Sequence, residues 1–166
     1  MPNWAEGTLK IRGREENILC FLKDGLLDIG HDEIATDENG VTYLTTAHEK
    51  IDYLETTLGL DIASKKGFYI KGTRRGFIDQ STIEFHPEEN KIEQLEFVEF
   101  RQAWGADAKA YAKISKKYGI DIKIFTFEKG LQFTQEIEII KGKIVKDTEE
   151  HYEDYFWDVP YSTIGG

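Results

Sequence analysis

The stretch from Leu95 to Phe127 constrains this chain most, because its hydrophobic period changes from two to about 3.6 and back with almost no connecting residues. Leu95 to Trp104 carries Phe97, Val98, Phe100 and Trp104, the aromatic and β-branched content of a largely buried strand. The apolar phase slips between Phe97 and Val98, so either both faces are covered or a bulge re-aims the side chains there. From Asp107 to Tyr118 the apolar residues Tyr111, Ile114 and Tyr118 recur one turn apart among alanines, which predicts an amphipathic helix. Lys113, Lys116 and Lys117 near its end complement the helix dipole, and Gly119 offers a left-handed stop. Ile120, Ile122 and Ile124 then alternate with Asp121 and Lys123, predicting a strand with one polar face.

A second strand-helix pair opens the chain. Ala5, Gly7, Leu9 and Ile11 alternate with Glu6, Thr8, Lys10 and Arg12, and a helix is predicted over about Glu15 to Leu26 with Ile18, Leu19, Leu22 and Leu26 on one stripe. Between about residues 27 and 66 the spacing of Ala47, Ile51, Leu54 and Leu58, after a capping box at Thr46-Ala47-His48-Glu49, predicts a helical insertion. Short strands are expected at Gly67 to Ile70, Gly76 to Ile78 and Thr82 to Phe85. Leu131 to Ile139 alternates again, and Lys141-Gly142 reverses the chain into Lys143 to Lys146, the pattern of a C-terminal β-hairpin. The whole is expected to be one α+β domain, residues 1–166, with a βαββαβ ferredoxin-like core sheet, its helices on one face, the insertion after the first helix, and an acidic aromatic tail at about 147–166.

With 40% hydrophobic and 13% aromatic residues, 166 residues can bury a sizeable core. One cysteine, Cys20, excludes an intramolecular disulfide, no apolar run approaches the length of a membrane span, and no signal-peptide core is legible, so a soluble cytoplasmic protein is expected. The formal charge of −10 disfavours nucleic acid and anionic membranes as partners and leaves basic protein surfaces.

The opening Met1-Pro2-Asn3-Trp4 before a strand, Phe100-x-x-Ala103-Trp104, the helix ending Lys116-Lys117-Tyr118 and the strand and hairpin after it resemble the YubB ferredoxin-like domain family of plasmids, phages and bacterial genomes. The resemblance covers the first dozen residues and roughly Leu95 to Val145. Family members often carry Cys and Asn where this chain has Ala5 and Gly7. The resemblance implies a ferredoxin-like fold and a mobile-element setting, and it supplies no catalytic residues.

No catalytic signature or cofactor motif is legible. Pro2, exposed as a secondary amine if Met1 is removed, is the one candidate general base, in the manner of tautomerases, although Asn3 and Trp4 intervene before the strand. His31, His48, His86 and His151 are scattered, and His31-Asp32-Glu33 lacks the i+4 partner of a zinc helix, so no metal is expected. Lys65, Lys66, Lys71, Arg74 and Arg75, with Phe68 and Tyr69 among them, offer a phosphate or single-strand contact; a hairpin with a solvated turn is the plainer reading. The tail from Asp147 to Asp158 mixes acids with large rings and contains no Lys or Arg. Glu149, Glu150, Tyr152, Glu153, Asp154, Tyr155 and Trp157 are therefore candidate contacts to a basic protein partner, against the plainer reading of a terminal helix covering the sheet. The expectation is a non-enzymatic interaction protein, an inhibitor or DNA mimic of a host nucleic-acid-binding protein. A Pro2 enzyme and a nucleic-acid binder through residues 65–75 are the alternatives.

Overall fold

A computed structural model describes residues 3–88 and 91–166, and the side chains of all of these except residues 31 and 32. In chain order the elements are β1 (Trp4–Arg14), α1 (Glu15–Asp24), β2 (Leu26–Asp28), β3 (His31–Thr36), β4 (Thr42–Ala47), β5 (Asp52–Thr56), β6 (Gly59–Ala63), β7 (Phe68–Ile70), β8 (Gly76–Ile78) and β9 (Thr82–Phe85). Then come β10 (Ile92–Ala103), α2 (Ala108–Tyr118), β11 (Asp121–Glu128), β12 (Phe133–Ile140), β13 (Lys143–His151) and the single turn α3 (Tyr155–Asp158).

Eight strands form one antiparallel sheet in the order β13-β12-β11-β1-β10-β8-β7-β2. The strand-helix-strand at 95–127 is present as β10, α2 and β11, yet its two strands are not neighbours: β1 lies between them and pairs with both. Alternation explains the core. Leu9 and Ile11 of β1, Ile122 and Ile124 of β11, and Ile137 and Ile139 of β12 are buried against Ile18, Phe21 and Leu22 of α1 and Tyr111, Ile114 and Tyr118 of α2. Each large apolar side chain so buried stabilises the fold by roughly 1.5–3 kcal/mol. Phe21 and Tyr118 meet edge to face at 5.5 Å where the helices touch.

The phase slip in the Leu95 to Trp104 stretch is a bulge. Gly7 pairs with Phe100 and Leu9 with Phe97, so Thr8 alone faces Val98 and Glu99, and both phenylalanines point into the core. Gly7 is obligatory there, since a Cβ would lie 2.1 Å from the carbonyl oxygen of Phe125. The boundaries of α2 follow the sequence: Asp107 accepts a hydrogen bond from the Lys109 N–H at 2.9 Å, and Gly119 stops the helix at φ 67°. The Lys141-Gly142 reversal, with both residues at positive φ, joins β12 to β13.

The expected ferredoxin-like α+β class is overturned. The chain is 51% strand and 16% helix, with three helices among the described residues, and its centre is the large antiparallel sheet rather than a compact core with helices on one face. The helical insertion is also wrong: residues 27–66 hold strands from β2 to β6, and the capping box lies at the end of β4 and in the segment after it. Local period misled because Ala47, Ile51, Leu54 and Leu58 match helical spacing by coincidence. Leu54 and Leu58 are exposed, while the tight β5–β6 hairpin and the longer-range pairing of β6 with β9 satisfy the backbone as sheet. β3 and β4 form a separate two-stranded ribbon.

Candidate functional site

Two surfaces carry chemistry-bearing side chains. The first is at the end of the large sheet where β1 starts, β10 ends and the turn from Lys71 to Arg75 joins β7 to β8. The turn is built from below. Thr73 donates its hydroxyl to the Ile70 carbonyl at 2.7 Å and accepts the Gly76 N–H at 3.1 Å. Buried Gln102 donates its side-chain amide to the Arg74 carbonyl and accepts the Tyr111 hydroxyl at 2.8 Å. Burial pushes the Tyr111 phenol well above its ordinary value, so it stays a donor. Tyr69 completes the support by donating its hydroxyl to the Thr73 carbonyl at 2.7 Å.

Above this base, arginines and rings interleave. The Arg74 guanidinium lies 4.6 Å from the centre of the Trp104 ring, and Arg75 lies 5.4 Å from Trp4. Arg101 sits 4.4 Å from Trp4 and 5.1 Å from Phe77, whose ring is 5.7 Å from Tyr69. Desolvated contacts of this kind are worth up to about 2 kcal/mol, exposed ones about 0.5–1. Arg101 Nε is 2.6 Å from an Asp79 carboxylate oxygen, but its N–H misses the oxygen, so the pair is Coulombic rather than hydrogen-bonded. Arg75 and Trp104 are held at φ 56° and 60°, a left-handed backbone that non-glycine residues seldom adopt, and the Ala103 N–H donates to the Arg75 carbonyl at 3.3 Å between them. Next to this cluster a groove of about 590 Å³ runs over the bulge, with Phe127 and Tyr161 on one side and Arg101 on the other.

The predicted basic residues are only partly brought together. Lys71, Arg74 and Arg75 share the turn, whereas Lys65 and Lys66 precede β7 at its other end. Lys65 pairs with Glu49 at 2.8 Å and Lys71 with Asp24 at 3.6 Å. Local pattern missed Trp4, Phe77, Arg101 and Trp104 as site residues, since the register that sets Trp4 opposite Ala103 and Arg101 opposite Phe77 is a long-range property. The one available signal was Arg101 itself, the one basic residue in an aromatic strand whose other charges are glutamates.

The second surface is the acidic tail. Only one turn of it is helical, α3 with buried Tyr155, while Glu149 and Glu150 lie on β13, an outermost strand of the sheet exposed along its length. Tyr152 shares a hydrogen bond with Thr134 at 3.0 Å, and Asp154 caps α3 by accepting the Trp157 N–H at 3.3 Å. Tyr155 is fully buried, and Glu153 is exposed. Phe156 and Trp157 are 62% and 86% exposed. The chain then returns to β1, where the Gly166 N–H donates to the Trp4 carbonyl at 2.8 Å and the Gly165 N–H to the Glu6 carboxylate at 3.3 Å.

Family models, curated proteins and solved structures were all compared with the chain, and none matches it.

Pro2 lies outside the described residues. His48 contacts the Asp28 carbonyl oxygen at 2.8 Å, His86 the Asp61 carboxylate at 2.8 Å and His151 that of Glu149 at 2.6 Å. No group of three metal-ligating side chains occurs among the described residues, where no helix is long and apolar enough to cross a membrane. Cys20 is an exposed free thiol on α1.

Proposed function

We propose that this chain is a non-enzymatic binding module that docks a basic protein surface through its acidic, aromatic C-terminal segment. The observation that carries the reading is Trp157, 86% exposed beside an exposed Phe156 on backbone fixed by the Asp154 cap and buried Tyr155. Large rings have few rotatable bonds to immobilise for the apolar area they bury on binding, which makes them efficient anchors. Glu149, Glu150, Glu153, Asp154 and Asp158 around them supply the charge that would steer a basic partner. The resemblance to the YubB family adds the setting of a mobile element, in which such a module acts as an inhibitor or mimic of DNA toward a host nucleic-acid-binding protein.

The test is titration of isotopically labelled protein with a Lys/Arg-rich peptide, followed by the indole N–H signals of its tryptophans. The Trp157 signal shifts, an Asp/Glu-rich peptide leaves it in place, and Trp157→Ala weakens binding by about 30-fold, the loss of a hot spot of ~2 kcal/mol. Unchanged affinity in Trp157→Ala, or no shift at Trp157, refutes the reading.

A further inference from the structure

A different set of residues points to a second ligand. We propose that the cluster at the Lys71 to Arg75 turn is a stacking site for single-stranded nucleic acid, with Trp104 taking a base and Arg74 and Arg75 taking phosphates.

Three observations converge. First, the rings are presented. Trp104 is 45% exposed, and Trp4, Phe77 and Tyr69 are half-buried on or beside a sheet face, where every base can offer a π-surface to them. Second, the positive charge is available. Among the described residues Arg74 and Arg75 have no carboxylate within ion-pair distance, and each guanidinium lies over a tryptophan ring. Of the acids lining the adjoining groove, Asp79 pairs with Arg101 and Glu6 accepts the Gly165 N–H, while Glu99 is exposed. A guanidinium over an indole still has N–H groups to offer phosphate oxygens, so the cation–π contact and phosphate binding do not exclude each other. Third, the scaffold is rigid. The turn rests on the buried Gln102 and Tyr111 network, and two of the five non-glycine residues at positive φ among the described residues, Arg75 and Trp104, belong to this cluster. Such backbone is kept where surrounding structure over-determines it, commonly at functional sites.

Part of the −10 total lies far from the turn. Asp147, Glu149 and Glu150 lie on β13, five strand spacings from β8 in the sheet order. At ~4.8 Å per spacing that is roughly 24 Å, about three Debye lengths at physiological salt. Repulsion from these three acids is therefore screened at the turn, and the carboxylates a bound strand would meet are Glu6, Asp79 and Glu99 in the adjoining groove.

The experiment is fluorescence anisotropy of labelled oligo(dT) and oligo(U) strands, with a duplex of equal length as control, on the full chain. Both strands bind more tightly than the duplex, and a preference between them tells DNA from RNA. Trp104→Ala loses about tenfold in affinity and Trp104→Phe restores most of it, as stacking requires. Arg74→Gln with Arg75→Gln flattens the slope of log K against log salt by about 1.4, the value for two phosphate contacts on a single strand. Trp157→Ala binds the strands like the wild type, which separates this site from the protein-docking segment. No saturable binding up to about 100 µM, the weak end of non-specific association, overturns the proposal. Equal affinity for duplex, or Trp104→Ala and the double arginine variant both binding like the wild type, overturns it too. A basic-peptide response at Trp4 and Trp104 instead would assign the face to protein.

Discussion

Gln102 and Tyr111 form the polar joint between α2 and the Lys71 to Arg75 turn, and its strength can be measured by a double-mutant cycle. Both residues are 1% exposed. Tyr111→Phe deletes a donor and orphans the Gln102 amide oxygen, at a cost of about 1–3 kcal/mol. Gln102→Leu orphans two groups, the Tyr111 hydroxyl and the Arg74 carbonyl, so its expected cost is about twice that. In the double variant only the Arg74 carbonyl is left unpaired. It should be less destabilised than the sum of the single variants by at least ~1 kcal/mol, within the usual range for residues in one network. The total stability of a domain is about 5–15 kcal/mol, so Gln102→Leu removes a large part of it while Tyr111→Phe leaves a folded protein. Urea unfolding followed by tryptophan fluorescence gives the four midpoints, and the comparison holds if the slopes agree. Strict additivity, or a Tyr111→Phe variant as stable as the wild type, would refute the assignment of this pair as the support of the turn.

Other outcomes follow from the same structure. The fully buried Glu128 carboxylate accepts the Gly130 and Leu131 N–H groups at 2.9 and 2.5 Å, so Glu128→Gln, which turns one acceptor into a donor, should cost about 1–3 kcal/mol in chemical denaturation. Gly7→Ala should cost about 1–3 kcal/mol or more, because β1 must move away from the Phe125 carbonyl; a melting temperature equal to that of the wild type would show that the bulge yields freely. Hydrogen bonds from Lys117 and Tyr118 hold Asp24 down at about 2, below its ordinary 3.8. Its folded value is depressed, so its contribution is complete above about pH 4 and fades as pH falls toward 2. The stability gap between wild type and Asp24→Asn should therefore close between pH 4 and pH 2 in unfolding titrations.

Where a signal is local, the residues disclosed the structure. Asp107, the row Tyr111, Ile114 and Tyr118, and Gly119 mark α2 at both ends, because capping and amphipathic spacing act within a few residues. The Lys141-Gly142 turn is legible for the same reason. The Phe97 to Phe100 slip announced a bulge or a doubly covered strand, and the partner strand decided for the bulge. The 27–66 region failed because Thr42, Thr45, Thr46 and Ile62 favour strands only once a neighbour supplies backbone partners, and a helical spacing of four apolar residues outweighed them on paper. For the candidate sites, the acidic ring-rich tail could be read as composition. Which rings are buried could not: Tyr155 is in the core and Trp157, two residues on, is in solvent.

By itself the sequence determined α2 with both its ends, the start of α1, the alternating strands around them, the hairpin turn and the charge of each segment, since all of these arise from interactions between residues close in the chain; α1 stops at Asp24, two residues short of its expected end, because Leu26 joins β2. Only the tertiary structure decided that β1 lies between β10 and β11, that the sheet extends to eight strands, and that Trp4, Phe77, Arg101 and Trp104 meet at one end of it. Strand pairing joins residues about a hundred positions apart, and no local period specifies which backbone groups will find each other.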